Sequence, residues 1–504
     1  MPWGCTDVIL PAPKIKGSDN GASIIGIPPT LNGIQKYPDL RTVQSGKSYQ
    51  ADYHCNNIYF APGAELVGQH KLDYGGQVFI DMNLESGYYH LLSMPLKATI
   101  TGDMFVAANW SKWEQNRATA FGNYFSAINS SDTYTEQRRT PYVYQRLWSS
   151  NSKVMNETLS RSGGDYDNTD DPTIESGMLQ LTDWSRTFNS VETTYDLAEG
   201  FALRVDKDAW QSENDASRQT YHFHFPKSFD TYNYYSTSSD IPVKTVSGMK
   251  RVGTPGHFMV DMVNNSNLKF TLKRESSGNL FLFGNPMMSH IDIRQFLAEN
   301  NTNVSSVLVY DKNKKEYVTI SNGALTSSTS SITQIAPMEA VFLQAVTPCD
   351  SLSITLSDIM LEQGNSTATT VTAPNQLRLT ATSRGHSASC VVVPSSAASD
   401  DYDAREDATL LVGSEEGSGV AVYTVAGGKA LSIQRMNQSG RIPVGFYLKE
   451  EGNVTLSFGP QGDAWRGWNL VDQQTGKRYP LDSETNLGTV KSGAGRFYLE
   501  RTGN

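Results

Sequence analysis

Apolar residues in this chain gather in short runs, each closed by Gly, Pro, Asn or Asp. Between residues 76 and 365 the runs read GQVFIDMNL, YYHLLSMPL, YVYQRLWSS, GFALRVD, YHFHFP, NLKFTLKR, LFLFGNP, SSVLVYD, EYVTI and EAVFLQAV. Runs of this length, rich in β-branched and aromatic residues, predict strands. Residues 1–75 carry smaller pieces separated by Pro and Gly (TDVILPAP, SIIGIPPTL, NNIYFAPGAEL), and predict a small roll or solenoid-like segment. Residues 376–504 give a second series, from QLRLTATS and ASCVVVP to NVTLSF, GWNLVDQQTGKRYPL and GRFYLER. Turn signals recur there about every 8–12 residues, the spacing of a sandwich of short strands. The intervening GNSTATTVTAPN, residues 364–375, is small, polar and aperiodic and reads as a linker.

One segment breaks the strand pattern. SHIDIRQFLAEN places Ile291, Ile293, Phe296 and Leu297 on one side of a short helix near 289–299, with Ser289 available as its N-cap. It follows Asn285-Pro286, and the same device, a strand run into a proline, occurs at Ser93-Met94-Pro95. Proline donates no hydrogen bond to a ladder and holds the preceding residue extended, so each marks a strand end and a corner.

The predicted fold is therefore all-β: a short N-terminal β-roll over 1–75, then two β-sandwich (jelly-roll or Ig-like) domains over 76–365 and 376–504. The length of 504 residues agrees, because single cores stop growing near ~250–300 residues. The net charge of −10 is spread thinly and no Lys/Arg stripe occurs, which argues against nucleic acid as a partner. No apolar run approaches the ~18 residues of a membrane helix. The start, MPWGCTDVILPAPK, lacks the basic region and apolar core of a signal peptide. The composition predicts an extracellular or cell-surface protein whose sequence here begins after its signal. Cys5, Cys55, Cys349 and Cys390 lie far apart without C-x-x-C spacing, so zinc is disfavoured, and two disulfides or buried thiols are both open.

Local catalytic signatures are missing: no G-x-S-x-G, no H-E-x-x-H, no phosphate-binding loop. His222 and His224 alternate in YHFHFP and so share a strand face, with no third metal ligand evident. Asp165, Asp167, Asp170 and Asp171 in GDYDNTDDP are spaced as hard ligands for calcium, the one cofactor the sequence suggests; a solvated acidic loop is the competing reading. SDDYDAREDA at 399–408 is a weaker case of the same kind. Trp110, Trp113 and Trp148 offer flat apolar faces of the type sugar rings stack on, against which stands simple core packing.

YYHLLSMPLKATITGDMF, NLFLFGNPMMSHIDI, VLVYDKNKKEYVTI and IAPMEAVFLQA, with IPVGFYL, the Leu470–Gly476 stretch and the final GRFYLER, resemble successive landmarks of large secreted, cell-surface β-sandwich proteins of Bacteroidetes with a type IX-secretion-like C-terminal region. The matching motifs are strand ends and turns. The resemblance implies a non-catalytic structural or adhesive segment of a larger exported surface protein, with glycans or other surface proteins as partners. The alternative it leaves is a glycan-binding or glycan-degrading surface protein.

Overall fold

The computed structural model describes residues 8–10, 30–31, 34–35, 53–55, 58–69, 72–74, 78–85, 89–93, 99–100, 106–107, 143–146, 179–180, 194–195, 198–205, 220–227 and 267–502, the last interrupted at 313, 322–323, 327–331, 365–374, 413–418, 438–439 and 460–461. The described chain is all-β, with one α-helix and several sheets. No described helix is long and apolar enough to cross a membrane.

Near the N-terminus the strands stack in parallel. Val8–Leu10 (β1) pairs in parallel with Ile58–Phe60 (β2), and β2 with Val78–Glu85 (β3). Tyr53–Cys55 runs parallel to Leu72–Tyr74 in the same manner. Strand β3 then pairs antiparallel with Thr220–Lys227 (β4), so the parallel stack is continued by strands far along the chain.

The next sheet is built on two strands of 18 residues, Asn267–Gly284 (β5) and Ala340–Ser357 (β10). After β5 come His290–Asp292 (β6), the helix Ile293–Glu299 (α1), Val304–Asp311 (β7), Glu316–Ser321 (β8) and Ala324–Leu325 (β9). The sheet order is β5-β10-β7-β8-β9, antiparallel throughout. NLKFTLKR and LFLFGNP, two strands in the sequence reading, are one strand carrying register shifts between Lys273 and Leu280. Arg274 explains the continuity: its Nη1 donates to the Leu280 carbonyl (2.6 Å) across the irregularity. Gly278 leaves it room, since a Cβ there would stand 2.3 Å from the guanidinium.

The helix begins later than its sequence pattern predicts. Ser289 is not its cap; Asp292 is, its side chain accepting from Arg294 N and Gln295 N. Residues 290–292 are drawn into β6 by pairing with Gln334–Ile335 and Leu361–Glu362, which removes a turn from the helix. Ile293, Phe296 and Leu297 remain its buried face.

The C-terminal strands form one eleven-stranded sheet. They are Leu377–Ser383 (β11), His386–Pro394 (β12), Val420–Ala426 (β13), Lys429–Met436 (β14), Ile442–Leu448 (β15), Gly452–Phe458 (β16), Trp468–Asp472 (β17), Arg478–Pro480 (β18), Thr485–Val490 (β19) and Gly493–Arg501 (β20). The order β18-β17-β20-β15-β13-β14-β12-β11-β16-β19, with Ala408–Thr409 joining at β14, puts β18 and β19 at opposite edges. Yet only residues 481–484 separate those edges in sequence. A strand twist of roughly 20° per pair lets the sheet roll until its edges nearly meet. Inside lies one apolar cluster containing Leu377, Leu379, Val392, Val422, Val444, Phe446, Leu456, Trp465, Trp468, Leu470, Phe497 and Leu499. Burying each such side chain stabilises by about 1.5–3 kcal/mol.

Candidate functional site

The ends of the two strands that lead toward the prolines meet at Ser93 and Gly284. Ser93 N donates to Met338 O, Asn285 N to Glu339 O and Gly284 N to Ala198 O. Leu92 forms a bridge with Glu339, and Glu199 with Phe283. A Cβ on Gly284 would lie 2.2 Å from Ser93 Cβ, so the close approach of the two strand ends requires glycine there.

Asn285, fully buried, ties the corner together. Its Nδ2 donates to Ser289 O (2.9 Å), Ala336 O (2.8 Å) and Ile335 O (3.2 Å), and its Oδ1 accepts from Met287 N (2.9 Å). Gln69, also fully buried, arrives from the N-terminal segment: its Nε2 donates to Pro286 O (3.1 Å) and its Oε1 accepts from Met288 N. Leu66 N donates to Met288 O beside it. Two uncharged amides thus satisfy the backbone that the proline leaves without a ladder.

Next to this corner lies a concentration of ionisable groups. Glu65 accepts from Gly364 N (3.0 Å to Oε2) and stands 3.3 Å from His290 Nδ1. That Glu65–His290 contact is an ion-pair distance without hydrogen-bond alignment, since Nδ1 has no directed partner. Gln334 Nε2 donates to Glu362 Oε1 (2.6 Å). Burial pushes the Glu339 carboxyl up, opposed by the Ala336 N–H and by the charges of Lys312 and His290. Chemically, this arrangement holds three chain segments against one another.

A second set of polar side chains joins the five-stranded sheet to the rolled one. Gln344, fully buried, donates to Asp407 O (2.6 Å) and Ala404 O (3.1 Å) and accepts from Thr409 N (2.9 Å). Arg378 donates to Leu325 O (3.0 Å) and Thr326 O (3.2 Å), and burial lowers its pKa. Ser432 Oγ donates to Thr319 Oγ1 (3.0 Å). Apolar contacts fill the remainder: Ala324 packs with Val391, Val393, Ala408 and Ile433, and Leu411 enters the cluster of Leu280, Leu282, Leu308 and Phe342.

The residues singled out for sugar and calcium, Trp110, Trp113, Trp148, Asp165, Asp167, Asp170 and Asp171, lie outside the described residues. His222 and His224 sit on β4 opposite Asn83 and Asp81. Cys349 and Cys390 are free thiols, so the two-disulfide arrangement is not adopted. In the 399–408 stretch two carboxylates turn onto backbone N–H groups: Asp403 accepts from Arg405 N, and Asp407 from Asp403 N and from Arg435 N on β14. Burial pushes Asp407 up to about 6. No group of three or more His, Cys, Asp or Glu side chains suited to a metal occurs among the described residues. Sequence reasoning missed Gln69, Gln344 and Arg378. Single polar residues in strand or loop sequence carry no periodicity to mark them.

These features define an all-β protein of several sheets, pinned to one another by buried polar side chains. Compared with known proteins, the chain matches no family model, no curated protein and no solved structure.

Proposed function

We propose that this chain is a non-catalytic structural or adhesive segment of a larger exported bacterial surface protein, as its resemblance to Bacteroidetes surface proteins suggests. The observation that carries the reading is the use made of buried polar side chains. Gln69 reaches backbone more than two hundred positions away, and Gln344 and Arg378 reach across to a different sheet. Such bonds make the described segments unfold together and resist opening piecemeal. A stalk or display segment needs that property. Calcium at Asp165, Asp167, Asp170 and Asp171 belongs to this proposal as a further tie within an acidic loop.

Two measurements test it. Urea unfolding followed by tryptophan fluorescence and by circular dichroism gives coincident transitions if the sheets are coupled. A panel of polysaccharides and peptides incubated with the chain yields no turnover. Hydrolysis that disappears on mutating one carboxylate pair, with unfolding unchanged, sinks the reading.

A further inference from the structure

The rolled sheet presents one outward face that carries a local charge opposite to that of the chain. Strands β15, β20, β17 and β18 are neighbours there, and Pro443, Tyr498, Val471 and Arg478 are register partners across them. Glu500, two residues from Tyr498 on the same face, is gripped from both sides: Arg441 Nε pairs with its Oε1, and Arg478 Nη2 lies 3.5 Å from its Oε2. The Arg441 guanidinium also stacks on the Tyr498 ring, 3.7 Å from its centroid. Both arginines remain open to solvent, with side chains 41% and 48% exposed. On this face the ion pairs set two guanidiniums, Arg441 and Arg478, against one carboxylate, Glu500, in a chain of net charge −10.

From this geometry we infer that the β15-β20-β17-β18 face binds acidic polysaccharide, a glycan chain bearing carboxylate or sulfate groups. Two guanidiniums sharing one carboxylate keep unspent donors. The stack on Tyr498 fixes the direction of one of them in advance, which lowers the ordering cost of binding. The occupant is a glycan rather than an acidic protein because the face lacks an apolar anchor. Val471 is buried, and among the described residues the large apolar side chain that stands exposed is Ile359, on another element. This inference rests on the adhesive form of the proposed function and gives it a ligand class.

The test is affinity electrophoresis of the full chain through gels containing polygalacturonate, dextran sulfate, neutral dextran or poly-glutamate. Retardation is expected with the first two, and the relative strength of those arms separates carboxylate from sulfate preference. It should fade between about 0.1 and 1 M salt, as the Debye length falls from about 10 to about 3 Å. The double variant R441Q/R478Q should weaken binding about tenfold or more without moving the melting temperature, because exposed ion pairs contribute little to stability. Glu500→Gln, which frees both guanidiniums, should tighten it. Arg384→Gln, which breaks the exposed Arg384–Glu450 pair, should change nothing. No retardation by either acidic polysaccharide, equal retardation by poly-glutamate, or equal loss in the Arg384 variant overturns the inference. None of these outcomes touches the unfolding test, so the coupled-sheet reading stands or falls separately.

Discussion

Replacing Asn285 by alanine removes the side chain on which the Asn285-Pro286 corner depends, and the size of the effect follows from its bonds. Four contacts are lost: three from Nδ2, which has two hydrogens and so shares one of them, and one to Oδ1. At about 1 kcal/mol for each well-directed bond, with Met287 N–H left buried and unpaired, the loss is about 3–4 kcal/mol. For a cooperative unit of 150–250 residues that corresponds to roughly 10 °C in melting temperature. Asn285→Asp sharpens the test. It keeps the volume and the acceptor for Met287 N but turns a carboxylate oxygen toward the carbonyls of Ser289, Ile335 and Ala336. It should be worse than alanine at pH 7 and recover in acid, where the protonated carboxyl donates again. Urea denaturation at pH 7 and pH 4 measures both. A loss below about 1 kcal/mol for alanine, or an aspartate variant as stable as the parent at pH 7, would refute the account of the corner.

Glu316, opposite Asp311 in the β7-β8 hairpin, is pushed up to about 7 from 4.5, chiefly by burial, with Lys314 opposing and Asp311 adding. A carboxyl raised on folding contributes stability that is full below pH 4.5 and is lost as pH rises through 7, up to about 3 kcal/mol. Glu316→Gln should therefore match the parent at pH 4 and exceed it at pH 8 in thermal melts. Gly284→Ala drives a Cβ to 2.2 Å from Ser93 and should cost about 3 kcal/mol or more, with Ser93→Gly restoring a large part in the double variant. Gln344→Leu strands Thr409 N–H and the carbonyls of Ala404 and Asp407. A loss of about 2–3 kcal/mol and faster proteolysis within 399–409 are expected, and unchanged digestion would count against its clamping role.

Much of the fold was legible because strand sequences advertise themselves. Alternation along QLRLTATS, NVTLSF and GRFYLER assigns one side of each strand to the core, and Leu377, Leu379, Leu456, Phe497 and Leu499 do line it. The strand-ending role of Pro286 and the buried face of the short helix were equally local, since they depend on a ring closure and a 3.6-residue period. What the sequence left open is settled by partners distant in the chain. Ser289 is as good a cap as Asp292 until β6 forms with Gln334–Ile335 and Leu361–Glu362 and moves the helix start. NLKFTLKR and LFLFGNP read as two strands until β10 pairs with both. Nor does any local pattern announce that Gln69 and Gln344 are fully buried, or that Arg441 and Arg478 converge on Glu500. Local propensity and periodicity set the direction of each side chain; which groups then meet depends on the roll of the sheet and the pairing order, and only the assembled tertiary structure holds that information.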